Sequence, residues 1–232
     1  MLREVEGRGE VLVPIRLEVE HEHWRLRDTF VWNVNADPIM TPDLFAQTIC
    51  DDFHLPMKEF FPLVRESVLK QLQEAGTFDF SADAGAGAEV GEILRVLIKL
   101  DITYGMINLT DQFEWDINNS SVTPEQWAES YAADLGLAPE FKTAIAHDIR
   151  EQVQVMRKSL IISGHTFEGP VLDAELRGAF LPPISPTALT RNADEAMQYT
   201  PILSQLTEAE IAREEAEREK EARRRKRQTR GR

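Results

Sequence analysis

The sequence predicts an α+β protein made of two tandem β-β-α-α repeats, a flexible joining segment, an extended proline-containing strap and a charged C-terminal helix. Three observations predict it. Two stretches of the chain match each other in order at a nearly constant offset, hydrophobic residues alternate and then step by four within each stretch, and the chain ends in a run of acids followed by a run of bases.

The duplication comes first because it fixes the other readings. "VPIRLEV" from Val13 aligns with "VLIKLDI" from Val96, an offset of 83, and the same offset pairs "LRDTFVWNVN" (Leu26 to Asn35) with "LTDQFEWDIN" (Leu109 to Asn118). One residue drops out before "TPDLFAQ" from Thr41 meets "TPEQWAE" from Thr123. After one more deletion, Phe60, Val64, Val68 and Leu72 meet Phe141, Ile145, Ile149 and Val153.

Each copy then takes shape from its own pattern. Val13, Ile15, Leu17 and Val19 alternate with polar residues, as do Val96, Ile98, Leu100 and Ile102, the mark of half-buried strands. Leu26, Phe30, Trp32 and Val34, and in the second copy Leu109, Phe113, Trp115 and Ile117, predict a second strand close enough for an antiparallel hairpin. Asp28 and Asp111 fall in the apolar phase of that strand, so each is expected to be a buried structural carboxylate accepting hydrogen bonds. Trp32 and Trp115 are expected structural residues of the same strands. Thr41-Pro42-Asp43 and Thr123-Pro124-Glu125 read as helix starts: a capping hydroxyl, a proline that needs no donor, and an acid at the positive end of the dipole. The four-residue steps from Phe60 and from Phe141 make one face of a following helix.

The expected boundaries are 11–73 for the first repeat, 74–92 for a Gly, Ala and acid-rich linker, 93–158 for the second repeat, 159–206 for the strap and 207–232 for the helix. Each repeat is expected to fold alone. The terminal helix opens on a capping box, Thr207 with Glu210, and carries Glu214–Arg218, Glu219–Arg223 and Glu221–Arg225 in the favourable i,i+4 order. Its apolar face is nearly missing, which predicts a helix projecting into solvent.

Composition narrows the function. The formal net charge is -14, although seven of the ten residues from Arg223 to Arg232 are basic; without them, 19 basic residues face 40 acidic ones. So acidic a body repels phosphate and argues against broad nucleic-acid binding. The one cysteine, Cys50, excludes a disulfide framework and reads as a buried thiol. No apolar run approaches the roughly 20 residues of a membrane span. His21-x-His23 has no third ligand at a recognisable spacing, so no metal is expected. "GAGAEVG" fits neither a dinucleotide nor a phosphate loop, and no nucleophile elbow occurs, so neither an enzyme nor a cofactor is expected. The basic end leaves three readings open: a solvated terminus, an import signal or nucleic-acid contact, or arginine anchors for an acidic protein surface.

Taken together, the paired motifs "LRDTFVWN" and "DQFEWDIN", then "EFKTAIAHDIREQV", then the arginine-rich end, resemble the core subunit of SWI/SNF-type chromatin remodellers, the sucrose-nonfermenting and integrase-interactor family, with a fungal character. The resemblance implies a nuclear, non-catalytic scaffold that works beside a separate ATPase motor subunit. It implies that each repeat docks a SWIRM-domain partner and that the basic helix lies on the acidic patch of the histone octamer. On that reading Arg223, Arg224, Arg225, Lys226 and Arg227 bind the nucleosome, and any DNA contact is secondary. Asp51 and Asp52 are candidate partner contacts. The alternative is a nucleic-acid-binding module acting through the basic tail.

Overall fold

The computed structural model describes residues 10–36, 39–77, 93–118, 121–167, 169–182, 190–213, 216, 217, 220 and 224. It is an α+β structure with two small antiparallel sheets, and its contacts gather into two compact units, 1–96 with 115–183 and 97–114 with 184–232.

In the first unit, β1 (Leu12–His21) and β2 (Trp24–Asn33) form a hairpin whose register sets Val13 opposite Trp32, Ile15 opposite Phe30, Leu17 opposite Asp28 and Val19 opposite Leu26. Alternation sends these residues to one face. The two-residue turn holds Glu22 at φ 52, a left-handed conformation that costs a side-chain-bearing residue energy. A short 3₁₀ turn (Val34–Ala36) follows, then α1 (Pro42–Asp52) and α2 (Met57–Thr77). Thr41 caps α1 by accepting the Leu44 N–H at 3.2 Å. Phe60, Val64 and Val68 on α2 are fully buried, as are Ile15 and Leu17, and α2 packs along β1. Each such side chain contributes about 1.5–3 kcal/mol by leaving water. Trp32 is buried and meets Phe45 of α1 edge to face at 5.6 Å. Helix α2 reaches Thr77, past the expected repeat boundary at 73; residues 78–92 of the expected linker lie outside the described residues.

A second helix pair also contacts this hairpin. Later in the chain, α3 (Pro124–Asp134) and α4 (Pro139–Ile162) pack as a pair, stapled by two hydrogen bonds from Arg150 to the Glu125 carboxylate. Thr123 opens α3 with a full capping box: its hydroxyl oxygen accepts from Gln126 N–H, and Gln126 Oε1 accepts from Thr123 N–H. Helix α4 then lies against β1 and β2. Arg16, whose neighbours Ile15 and Leu17 face the core, donates to both Glu151 oxygens at 2.9 and 2.7 Å, and Lys158 reaches Glu74 at 3.6 Å. The side chain of Gln71 on α2 accepts from Arg16 N–H and donates to Arg16 C=O, both at 3.0 Å, as a neighbouring strand would. The expected strap turns back within this unit: α5 (Ala174–Arg177) follows, Phe180 bridges to Val96, and Leu181 N–H donates to Arg95 C=O at 2.8 Å.

The second sheet orders β3 (Arg95–Tyr104), β4 (Ile107–Asp116) and β5 (Ile202–Gln205). Gly105 at φ 58 occupies the turn position that Glu22 holds in the first hairpin. Asn108, buried between the strands, donates to Asp101 at 2.9 Å and Thr103 at 3.0 Å and accepts from Thr110 at 3.0 Å. α6 (Ala193–Gln198) precedes β5, and Arg191 beside it stacks on Tyr199 at 3.8 Å and bonds Glu114 at 2.6 Å. The strand β5 falls inside the segment expected to be largely extended, and it adds an edge to the sheet.

The two strand carboxylates part company. Asp111 is buried, whereas Asp28 is exposed and its carboxylate accepts the neighbouring Thr29 N–H at 2.8 Å. Sequence phase assigns a face and not a depth. Asp28 shares its strand and face with Leu26 and Trp32, which are buried, and is itself left exposed between them.

Candidate functional site

The C-terminal helix is launched from a fixed root within the second unit. Pairing of β5 with β4 sets Ile107 opposite Gln205 and Leu109 opposite Leu203, and Leu206 N–H closes the ladder on Met106 C=O at 2.8 Å. The next residue, Thr207, is the N-cap. Its N–H and O–H donate to Glu210 Oε2 at 2.8 and 2.7 Å, and Glu210 N–H returns to Thr207 Oγ1 at 3.3 Å. The Thr207 backbone N–H, and then its hydroxyl, hold the Glu210 carboxyl below the usual range. Residues 208–213 are helical and exposed apart from Ile211, which is half-buried. Arg224 is helical and exposed. Arg223, Arg225, Lys226 and Arg227 lie outside the described residues.

A second surface lies on α1 and α2. Asp51 and Asp52 form the exposed last turn of α1. Carboxylates there oppose the helix dipole, so local helix stability gives no reason for them. Next to them Phe53 is 58% exposed, Met57 38% and Leu44 45%, and an open groove is lined by Gln47, Met57, Lys58, Phe61 and Pro62. Burial first, and then the Asp51 charge, push the Cys50 thiol up, which suits a packed thiol and not a nucleophile.

Trp32 and Trp115 anchor aromatic contacts and do not line either surface: Trp115 meets Trp127 edge to face at 6.2 Å, and Trp127 stacks on Tyr131 at 4.5 Å. Missing from the sequence reading is the contact of α4 with β1, through Arg16, His147, Asp148 and Glu151. The helical spacing of 147 and 151 was visible in the sequence, but their partner lies more than a hundred residues away.

A capped, exposed helix start and an acid-flanked apolar ledge are the surface features of an α+β module. The profile of the SNF5 / SMARCB1 / INI1 family matches residues 7–223, and the chain belongs to that family. It is 39% identical over 228 residues to the SWI/SNF chromatin-remodeling complex subunit SNF5 of Saccharomyces cerevisiae, with 96% of this chain and 25% of that protein covered. The corresponding subunit snf5 of Schizosaccharomyces pombe is 34% identical, with 93% and 39% covered. The chromatin structure-remodeling complex protein BSH of Arabidopsis thaliana is 31% identical, with 93% and 92% covered. The chain thus spans between a quarter and two fifths of the two yeast proteins and nearly the whole length of the plant one.

Proposed function

We propose that this chain serves as a nuclear, non-catalytic scaffold of a SWI/SNF-type chromatin-remodelling complex, working beside a separate ATPase motor subunit. Its C-terminal basic helix anchors to the histone acidic patch through Arg223, Arg224, Arg225, Lys226 and Arg227. Two equivalent β-β-α-α repeats dock SWIRM-domain partners. The observation that carries this reading is the charge division: a capped, solvent-exposed helix leads to Arg224 on a chain whose net charge is -14. The guanidinium fork suits carboxylates in pairs, whereas an acidic body is repelled along a phosphate backbone. The order strand, strand, helix, helix occurs twice, and Phe53, Met57 and the flanking Asp51 and Asp52 supply an apolar ledge with an acidic rim for a partner.

Nucleosome pulldown tests the anchor. Neutralising the histone acidic patch is expected to abolish tail-dependent binding, with weak affinity for naked DNA. Normal binding to the patch mutant, together with affinity that follows DNA length and falls steeply with salt, identifies a nucleic-acid module instead.

A further inference from the structure

Where α4 crosses β1, one side chain is wired in a way that packing does not explain. His147 is 1% exposed, and its Nε2 lies 3.0 Å from Ile15 C=O. A carbonyl only accepts, so Nε2 carries the proton, and in neutral imidazole Nδ1 is then a bare lone pair. Among the described residues, that buried Nδ1 has no hydrogen-bond partner, and it lies 3.8 Å from Asp148 Oδ1. An unpartnered imidazole nitrogen, the Asp148 carboxylate and Glu151 one helical turn on bring three electron-rich donors together, a set that suits a cation. Ligand atoms of His147, Asp148 and Glu151 all lie within 4.8 Å of one another.

We propose that His147 Nδ1, Asp148 and Glu151 form a binding site for a divalent transition-metal ion of the zinc type, which Arg16 closes when no metal is bound. The donor set, one imidazole and two carboxylates, suits zinc and leaves a position for solvent. A metal-binding histidine characteristically donates its second N–H to a carbonyl or carboxylate, which fixes ring and tautomer, and His147 already does so on Ile15. Arg16 is the competitor. It holds both Glu151 oxygens, its Nη2 lies 3.7 Å from Asp148, and with a side chain 41% exposed it has room to swing into water. Asp148 and Glu151 are 23% and 39% exposed, which gives the ion its approach. Metal binding therefore exchanges the Arg16 tie between α4 and β1 for an ion held on α4 alone.

Zinc chloride titrated calorimetrically into the whole chain tests this. Arg16→Ala removes a unit charge about 4 Å from the ion and is expected to tighten zinc binding tenfold or more. Glu151→Gln and Asp148→Asn, both on the half-exposed helix face, are expected to weaken it by a similar factor, and His147→Gln to abolish it. In the metal-free chain, side-chain ¹⁵N shifts are expected to report His147 protonated at Nε2 alone, with Nδ1 moving on zinc addition. Zinc binding that ignores Arg16→Ala and Glu151→Gln is adventitious, for instance at His21 and His23, and overturns the proposal. So does an Nδ1 shift that stays put on zinc addition.

Discussion

Replacing Thr207 by alanine probes whether the root of the C-terminal helix governs what the helix does. The residue is the acceptor for Glu210 N–H, and its own N–H and O–H are held by the Glu210 carboxylate. Losing an N-cap side chain costs about 1 kcal/mol of helix stability. Little packing offsets this, because residues 208–213 are exposed except for half-buried Ile211, and a helix without a buried face is marginal in water. About 1 kcal/mol corresponds to a roughly fivefold drop in the statistical weight of the helix. Amide exchange in the whole chain is expected to quicken by about that factor at Glu210, Ile211, Ala212 and Arg213, with Thr207→Ser restoring protection. Nucleosome affinity is expected to weaken in parallel, because the helix must then be formed at the moment of binding. Unchanged exchange refutes the capping argument. Faster exchange with unchanged affinity spares the cap and refutes the helix as the anchor.

Other expectations follow from single features. The turn pair gives opposite signs: Glu22→Gly is expected to stabilise the chain by about 0.5–1 kcal/mol and Gly105→Ala to destabilise it by at least as much, read from urea midpoints. A double-mutant cycle on Arg16 and Glu151 is expected to give about 0.5–1 kcal/mol of coupling that shrinks with salt, since both side chains are some two fifths exposed; no coupling refutes the docking of α4 on β1 as an energetic link. Burial alone pushes the Glu125 carboxyl up, but the Arg150 hydrogen bond and charge outweigh it and hold the group below its ordinary range. This stability is therefore present above the unfolded carboxyl pKa of about 4.3 and lost as pH falls through the lower folded value; Arg150→Gln is expected to flatten that acid limb of the stability curve. Phe60→Ala, at a fully buried site, is expected to cost about 3–5 kcal/mol. If the contact of α4 with β1 couples the repeats, it lowers one shared transition; two transitions, only one displaced, uphold repeats that fold alone.

The strands and long helices were legible because their signals are local. Val13, Ile15, Leu17 and Val19 alternate, Phe60, Val64 and Val68 step by four, and Thr41, Thr123 and Thr207 announce helix starts within three residues. What escaped was non-local or a matter of degree. The strand β5 is four exposed residues with no alternation to find, and its partners, Ile107 to Thr110 of β4, lie far away in sequence. Glu22 takes a glycine conformation without being glycine. His147 reads as an ordinary face residue of a helix until Ile15 supplies its hydrogen bond. Asp28 carried the right face and the wrong depth.

The distance in sequence between β4 and β5 has a kinetic meaning. Thr110 pairs with Ile202, so a long stretch of chain must close before four residue pairs can form. Closure entropy grows with the logarithm of loop length, and exposed pairs repay it poorly. The strand that roots the basic helix should therefore be last to dock when the chain folds and first to leave when it frays. The helix could then be released whole while both hairpins stay intact, and a chain cut before Ile202 would lose the root and the tail together.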